Sequence, residues 1–144
     1  MHHDEFIGQV QARAALPDRG SAERAVRATL ETLAERIPDG LGEHLAAQLP
    51  TEVSEHLRRV AAAHQASPEH RRSGERFDLT AFAGRIAWRG GASEEAALRE
   101  ASAVLEVLDA ALSPELMQKL GRVLPHDIGE LLPAVRADDT APAR

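Results

Sequence analysis

A chain of 144 residues with 17 basic and 23 acidic side chains, and a formal charge of −6, suits one domain or two very small units sharing a core. Cysteine is absent, which excludes disulfides, thiolate catalysis and cysteine–zinc sites, and the acidic balance opposes generic attraction to phosphate backbones. Aromatic residues are confined to Phe6, Phe77, Phe82 and Trp88, so the core must be leucine, alanine, valine and isoleucine, a composition that favours helices over sheets.

The opening Met-His-His-Asp-Glu-Phe lacks the basic-then-apolar pattern of a signal peptide. No apolar run approaches the roughly 18 residues needed to span a bilayer. A first short helix is expected over about 4–15. The next segment, Ser21–Ile37, carries Ala22, Ala25, Val26, Thr29, Leu30, Leu33 and Ile37 at three- and four-residue steps, which predicts an amphipathic helix with one buried stripe. Ser21 is its expected N-cap and Pro38 its stop. Glu23, Arg27, Glu31 and Glu35 fall on the other side, where Glu23–Arg27 and Arg27–Glu31 have i,i+4 spacing. Helices are also expected over 39–49 and 51–65.

Residues 65–78, QASPEHRRSGERFD, are polar and hold Pro68, Gly74 and three arginines, a composition expected of a flexible linker. Beyond it, helices are predicted over 79–89 and Glu94–Leu112, the latter capped by Ser93 with Glu94 and Glu95 at the positive end of the helix dipole. Ser113-Pro114-Glu115 then reads as N-cap, proline at N1 and an acidic first turn. A last helix is expected over 126–135, and the C-terminal residues read as a disordered tail. Nothing shows sustained two-residue alternation, so no strand is expected.

The two halves match at a near-constant offset. Phe6, Gly8, Val10 and Arg13 align with Phe82, Gly84, Ile86 and Arg89, each 76 residues on. At an offset of 75, Leu30-Glu31-Thr32-Leu33 aligns with Leu105-Glu106-Val107-Leu108, and Leu49-Pro50 with Leu124-Pro125. Shared periodicity would align leucines alone; it would not align Phe, Gly, Arg and Pro. The reading is all-α: two tandem helical repeats of about four helices each, packed as a pseudo-symmetric bundle. Its parts are repeat 1 at 1–64, the linker at 65–78, repeat 2 at 79–135 and the tail at 136–144. Glycine inside a helix costs roughly 0.5–1 kcal/mol against alanine, so Gly8 and Gly84 are expected where helices approach closely.

The Phe-(x)3-Val start, the alanine-rich long helix with Leu-Glu-x-Leu, and Leu-Ala-Ala-Gln-Leu-Pro at 45–50 resemble the DUF2267 family of uncharacterised bacterial proteins, over about residues 4–135. In the second half the last stretch becomes Leu120-Gly121-Arg122-Val123-Leu124-Pro125. The resemblance implies a helical bacterial protein, cytoplasmic, with no catalytic residues to carry over. Phe6-Ile7-(x)2-Val10 with Ala22-Glu23-Arg24-Ala25-Val26-(x)3-Leu30-Glu31-Thr32-Leu33 is similar, over about 35 residues, to the N-terminal helical hairpin of HU-type histone-like proteins. No basic β-ribbon follows it, so the likeness implies a packing solution rather than DNA binding.

Candidate chemistry is sparse. Glu52 with His56, and Asp127 with Glu130, follow the two Leu-Pro steps at nearly equivalent places, a hint of a duplicated polar or metal site. The histidines themselves do not repeat and read as solvated helix-surface residues. Ser21, Ser93 and Ser113 read as N-caps rather than nucleophiles. Glu31 and Glu106 read as solubility charges on outer faces. Arg58, Arg59, Arg71, Arg72, Arg76, Arg85 and Arg89 form a basic zone without interleaved aromatics. Trp88 lies off the Phe82–Ile86 stripe and is expected to pack between the halves, with an exposed anchor as the alternative. The leading expectation is a non-enzymatic protein–protein interaction or accessory module needing no cofactor or metal. Trp88, Arg71, Arg72, Arg76 and Arg89 are its candidate contact residues, and its partner is protein, self or other, rather than membrane. The alternative is a nucleic-acid-associated protein using the basic linker and the HU-like hairpins.

Overall fold

The computed structural model describes residues 1–66 and 75–133. Arg71, Arg72 and most of the expected linker lie outside these residues, as does the tail at 136–144. The described residues form eight helices and no strand: α1 (His3–Arg13), α2 (Arg19–Arg36), α3 (Asp39–Gln48), α4 (Thr51–Ala66), α5 (Leu79–Gly90), α6 (Glu94–Ala111), α7 (Pro114–Val123) and α8 (His126–Gly129). None is long and apolar enough to cross a membrane.

Helix α2 lies at the centre, with α1, α4, α5 and α6 all packed against it. In turn α1 and α5 both reach α6, α3 lies along α4 and touches α7, and α8 touches α5. The predicted stripe of α2 is buried, but Ala28, Thr32 and Ala34, which lie off that stripe, are buried too. A central helix needs more than one apolar face, and its extra faces are made of small residues. Phe6, Val10, Val26, Leu30, Leu33, Phe82, Leu105 and Leu108 form the interior at 0% exposure. At about 25 cal/mol per Å² of apolar surface removed from water, such burial is the main drive to fold.

Local signals set most boundaries. Ser93 and Ser113 cap α6 and α7 as expected, accepting from Ala96 and Leu116 backbone N–H groups, and Pro114 occupies the first turn of α7. Helix α2 starts earlier than predicted: Asp18, not Ser21, is the cap, and its carboxylate accepts from the Ser21 N–H at 2.8 Å. Ser21 is thus the residue being capped. Helix α8 covers only His126–Gly129 rather than 126–135, since Pro133 donates no backbone hydrogen bond and disfavours helix in the residue before it. The end of the expected linker is tied down. Glu75 N–H donates to the Glu35 carbonyl at 2.8 Å, and the Phe77 carbonyl accepts from Arg36 Nε at 3.1 Å.

The close-approach reading of Gly8 and Gly84 is wrong. Among the described residues, a Cβ added at Gly8 would meet nothing within 4 Å, and one at Gly84 only a Glu94 carboxylate oxygen at 3.8 Å. The tighter approach is at Gly90, where a Cβ would stand 3.6 Å from that of Ala28 on α2. Helices α1 and α5 end alike. Ala15 and Gly91 both adopt the left-handed conformation, at φ 54° and 66°. The next residues, Leu16 and Ala92, donate back to Gln11 and Ala87 at 2.9 and 3.0 Å, the 6→1 bond of a Schellman end.

This geometry predicts that exchanging residue types would help at both places. Gly8→Ala removes a helix-interior glycine and Ala15→Gly removes a strained alanine, each adding about 0.5–1 kcal/mol. Urea unfolding of the single and double variants measures this; additive gains are expected, because the sites share no partner.

Candidate functional site

The polar face between α2 and α5 is built from residues the sequence reading scattered among outer faces and linker. Arg89, in the last turn of α5, donates from Nη1 to Thr32 Oγ1 at 2.7 Å and grips the Glu35 carboxylate through both nitrogens, at 3.0 and 2.7 Å. Thr32 Oγ1 in turn donates to the Ala28 carbonyl at 2.8 Å. One turn earlier on α5, Arg85 donates to Glu35 at 3.0 Å and to Glu75 at 3.3 Å. Its guanidinium lies 3.9 Å from the centre of the Phe77 ring, a cation–π contact. Glu31 completes the set at 3.5 Å from both Arg89 and Arg59. The cations Arg59, Arg85 and Arg89 therefore meet an equal number of carboxylates, Glu31, Glu35 and Glu75.

Burial by itself would push the Glu35 carboxyl up, but the hydrogen bonds and charge of Arg89, then of Arg85, outweigh it and hold the group below its ordinary value. The Arg89 guanidinium is pushed up, first by its hydrogen bond to Glu35. The network is a structural clamp with its charges neutralised internally. It does not offer an open cationic surface.

Glu31 is accordingly not an outer-face solubility charge, whereas Glu106 stays nearly half exposed. Glu31 faces Arg89 on α5, and Glu106 of α6 pairs with Arg13 of α1 at 3.1 Å. The two contacts are reciprocal under the sequence offset, since Arg13 aligns with Arg89 and Glu31 with Glu106. The predicted Glu23–Arg27–Glu31 ladder is replaced as well: Glu23 pairs with Arg19 at 3.3 Å.

Trp88 is not packed between the halves. It is 85% exposed, because α5 buries Phe82, Ala83, Ile86 and Ala87 and turns position 88 outward. Beside it a shallow depression is lined by Glu35, Gly84, Arg85, Trp88 and Arg89. Of the other candidate contact residues, Arg76 is exposed and Arg89 belongs to the clamp.

The histidines divide. His64 is 5% exposed, with Nδ1 2.9 Å from an Asp39 carboxylate oxygen, so it links α4 to α3 rather than standing in solvent. His56 lies in a cleft lined also by His3, Ile7, Gly20, Glu23, Arg24, Arg27, Glu52 and Val53. Arg59 Nη2 sits 2.6 Å from its Nδ1. Burial, then the charges of Arg59, Arg27 and His3, push its pKa down to about 4. The paired carboxylates after the Leu-Pro steps have separate structural roles. Asp127 accepts from the Leu79 N–H at 2.9 Å, and Glu130 pairs with His126 at 3.1 Å. Among the described residues no three histidine or acidic side chains converge to hold a metal ion.

Two acid transitions follow. Above pH 6.5 His56 is neutral in both states; below it the unfolded chain binds a proton that the folded chain refuses until about pH 4, so stability falls across that window. Glu35, with its folded pKa below the ordinary 4.5, stabilises above that value and loses its contribution as the pH falls further. Urea titrations at a series of pH values measure both. In His56→Gln the decline between pH 6.5 and 4.5 flattens while the lower step remains; an unchanged upper slope contradicts the assignment.

No curated protein matches the chain. The sequence model of the family described as "Uncharacterized conserved protein (DUF2267)" matches residues 3–131. That span takes in every helix from α1 to α8, including the clamp between α2 and α5 and the exposed Trp88, and the chain belongs to the DUF2267 family.

Proposed function

We propose that the chain is a helical docking module without catalytic chemistry, acting in the bacterial cytoplasm through the outer face of α5. The observation that carries this reading is the exposure of Trp88 on a helix held rigidly from behind. Tryptophan is the residue type most enriched at binding hot spots, and a rigid indole buries much surface with little loss of rotamer freedom. Here the chain's one tryptophan is 85% exposed. Arg85 and Arg89, flanking it on α5, are anchored to Glu35 of α2, so the helix under the indole cannot easily rotate.

The tandem-repeat reading accords with this. The reciprocal Arg13–Glu106 and Arg89–Glu31 pairs and the twin left-handed ends at Ala15 and Gly91 are what a duplicated unit docked on its copy would retain. The position aligned with Trp88 is Ala12, so the duplicate lacks the anchor and the module has one docking face. Nucleic acid is the weaker partner, because the arginines beside Trp88 already meet carboxylates and the net charge is −6.

A photoreactive phenylalanine analogue placed at position 88 in the native host tests the proposal. Discrete crosslinked adducts are expected at position 88 and none at Glu115, an exposed position on α7. The same diffuse background at both positions would overturn it.

A further inference from the structure

Gly84 occupies the middle of α5 with ordinary helical backbone, and the described residues give no reason for it: among them only a Glu94 carboxylate oxygen lies within 4 Å of where its Cβ would stand. Alanine there would favour the helix by about 1 kcal/mol. Trp88, four residues on, lies on the same face of the helix and is left in solvent. The two oddities are one helical turn, about 5–6 Å, apart. One is a knob without a hole and the other a hole without a knob.

Building on the docking role proposed for Trp88, we propose that its partner is a second copy of this chain. Two α5 helices pack antiparallel about a twofold axis lying between Gly84 and Trp88, so that each indole seats over the glycine of the other. The contact is self-complementary, as a twofold interface requires, and it closes on itself as a dimer rather than a filament. Charge and hydrogen bonding match as well. The indole N–H is a donor that needs an acceptor when buried, and the Glu94 carboxylate stands at the rim of the Gly84 notch. Arg85 and Arg89 line the same depression, where their hydrocarbon stems, held in place by the clamp, give the incoming ring an apolar surface to lie on. Gly8, the aligned glycine on α1, has Ala12 in place of the tryptophan and so presents a hole without its knob.

Sedimentation velocity of the full chain, from low micromolar to sub-millimolar concentration, tests this. Emission of the single tryptophan, recorded over the same range, should shift to the blue as the indole is buried. A concentration-dependent dimer is expected. Trp88→Ala and Gly84→Gln should each weaken it by about tenfold or more, the equivalent of ~1.4 kcal/mol, while Gly8→Gln leaves it unchanged. Trp88 is exposed and the Gly84 notch is open, so both variants should keep the circular dichroism of the parent, and Gly84→Gln, which removes a helix-interior glycine, should melt no lower than the parent at concentrations where the parent is monomeric. A chain that stays monomeric throughout, or a dimer indifferent to both α5 variants, overturns the assignment. Crosslinks from position 88 to some other protein, with a monomeric chain, would overturn the second copy as partner and leave the docking role standing.

Discussion

A helix packed by several neighbours must satisfy the polar side chains that those neighbours cover, and α2 is in that position along its C-terminal half. Packed by α1, α4, α5 and α6, it carries Glu31, Thr32 and Glu35 into half-buried or buried places. Each must be satisfied there, because a buried polar group left without a partner costs about 1–3 kcal/mol, more when charged. Arg89 resolves the constraint by serving all of these groups from one guanidinium, and Arg85 adds a second donor to the Glu35 Oε1 that Arg89 also holds. The clamp does not drive folding; apolar burial does. It fixes which face of α5 meets α2, and therefore which face is left outward with Trp88.

The same logic separates the Arg13–Glu106 pair from the grip of Arg89 on Glu35. Arg13 and Glu106 are each nearly half exposed, at 45% and 43% of their side-chain surface, so water and salt screen them and their pairing contributes little. Arg89 and Glu35 are at 21% and 18%, with bidentate geometry and a threonine hydroxyl joined on. The aligned position to Glu35 is Ala110 and to Arg85 is Gln9, so the stronger network exists on one side of the molecule alone. That asymmetry coincides with the asymmetry of Trp88.

Much of the fold was legible in the sequence, because helix stripes and caps are local signals. Ser93, Ser113-Pro114 and the Leu-Pro steps placed α6, α7 and the starts of α4 and α8 close to where they lie. The central role of α2 was not legible: Ala28, Thr32 and Ala34 look neutral until a neighbour covers them. The clamp was missed for a related reason. Glu31, Glu35, Arg85 and Arg89 have the spacing of solvated helix charges, and their pairing spans fifty or more residues of chain. The alignment of Arg13 with Arg89 and of Glu31 with Glu106 was the available clue, since charges duplicated at equivalent places suggest reciprocal contacts. Trp88 was misplaced because a second buried face was expected between the halves, while its phase on α5, off the Phe82–Ile86 stripe, argued for exposure. Phase was the better guide.

The central claim is that Glu35 and Arg89 act as one unit locking α5 onto α2. A double-mutant cycle with Glu35→Gln and Arg89→Met, read by urea unfolding at neutral pH, tests it directly. A coupling energy of about 1.5–3 kcal/mol is predicted, the range of a charge-assisted, largely desolvated hydrogen-bonded pair. A coupling below about 0.5 kcal/mol, typical of an exposed surface pair, would contradict it.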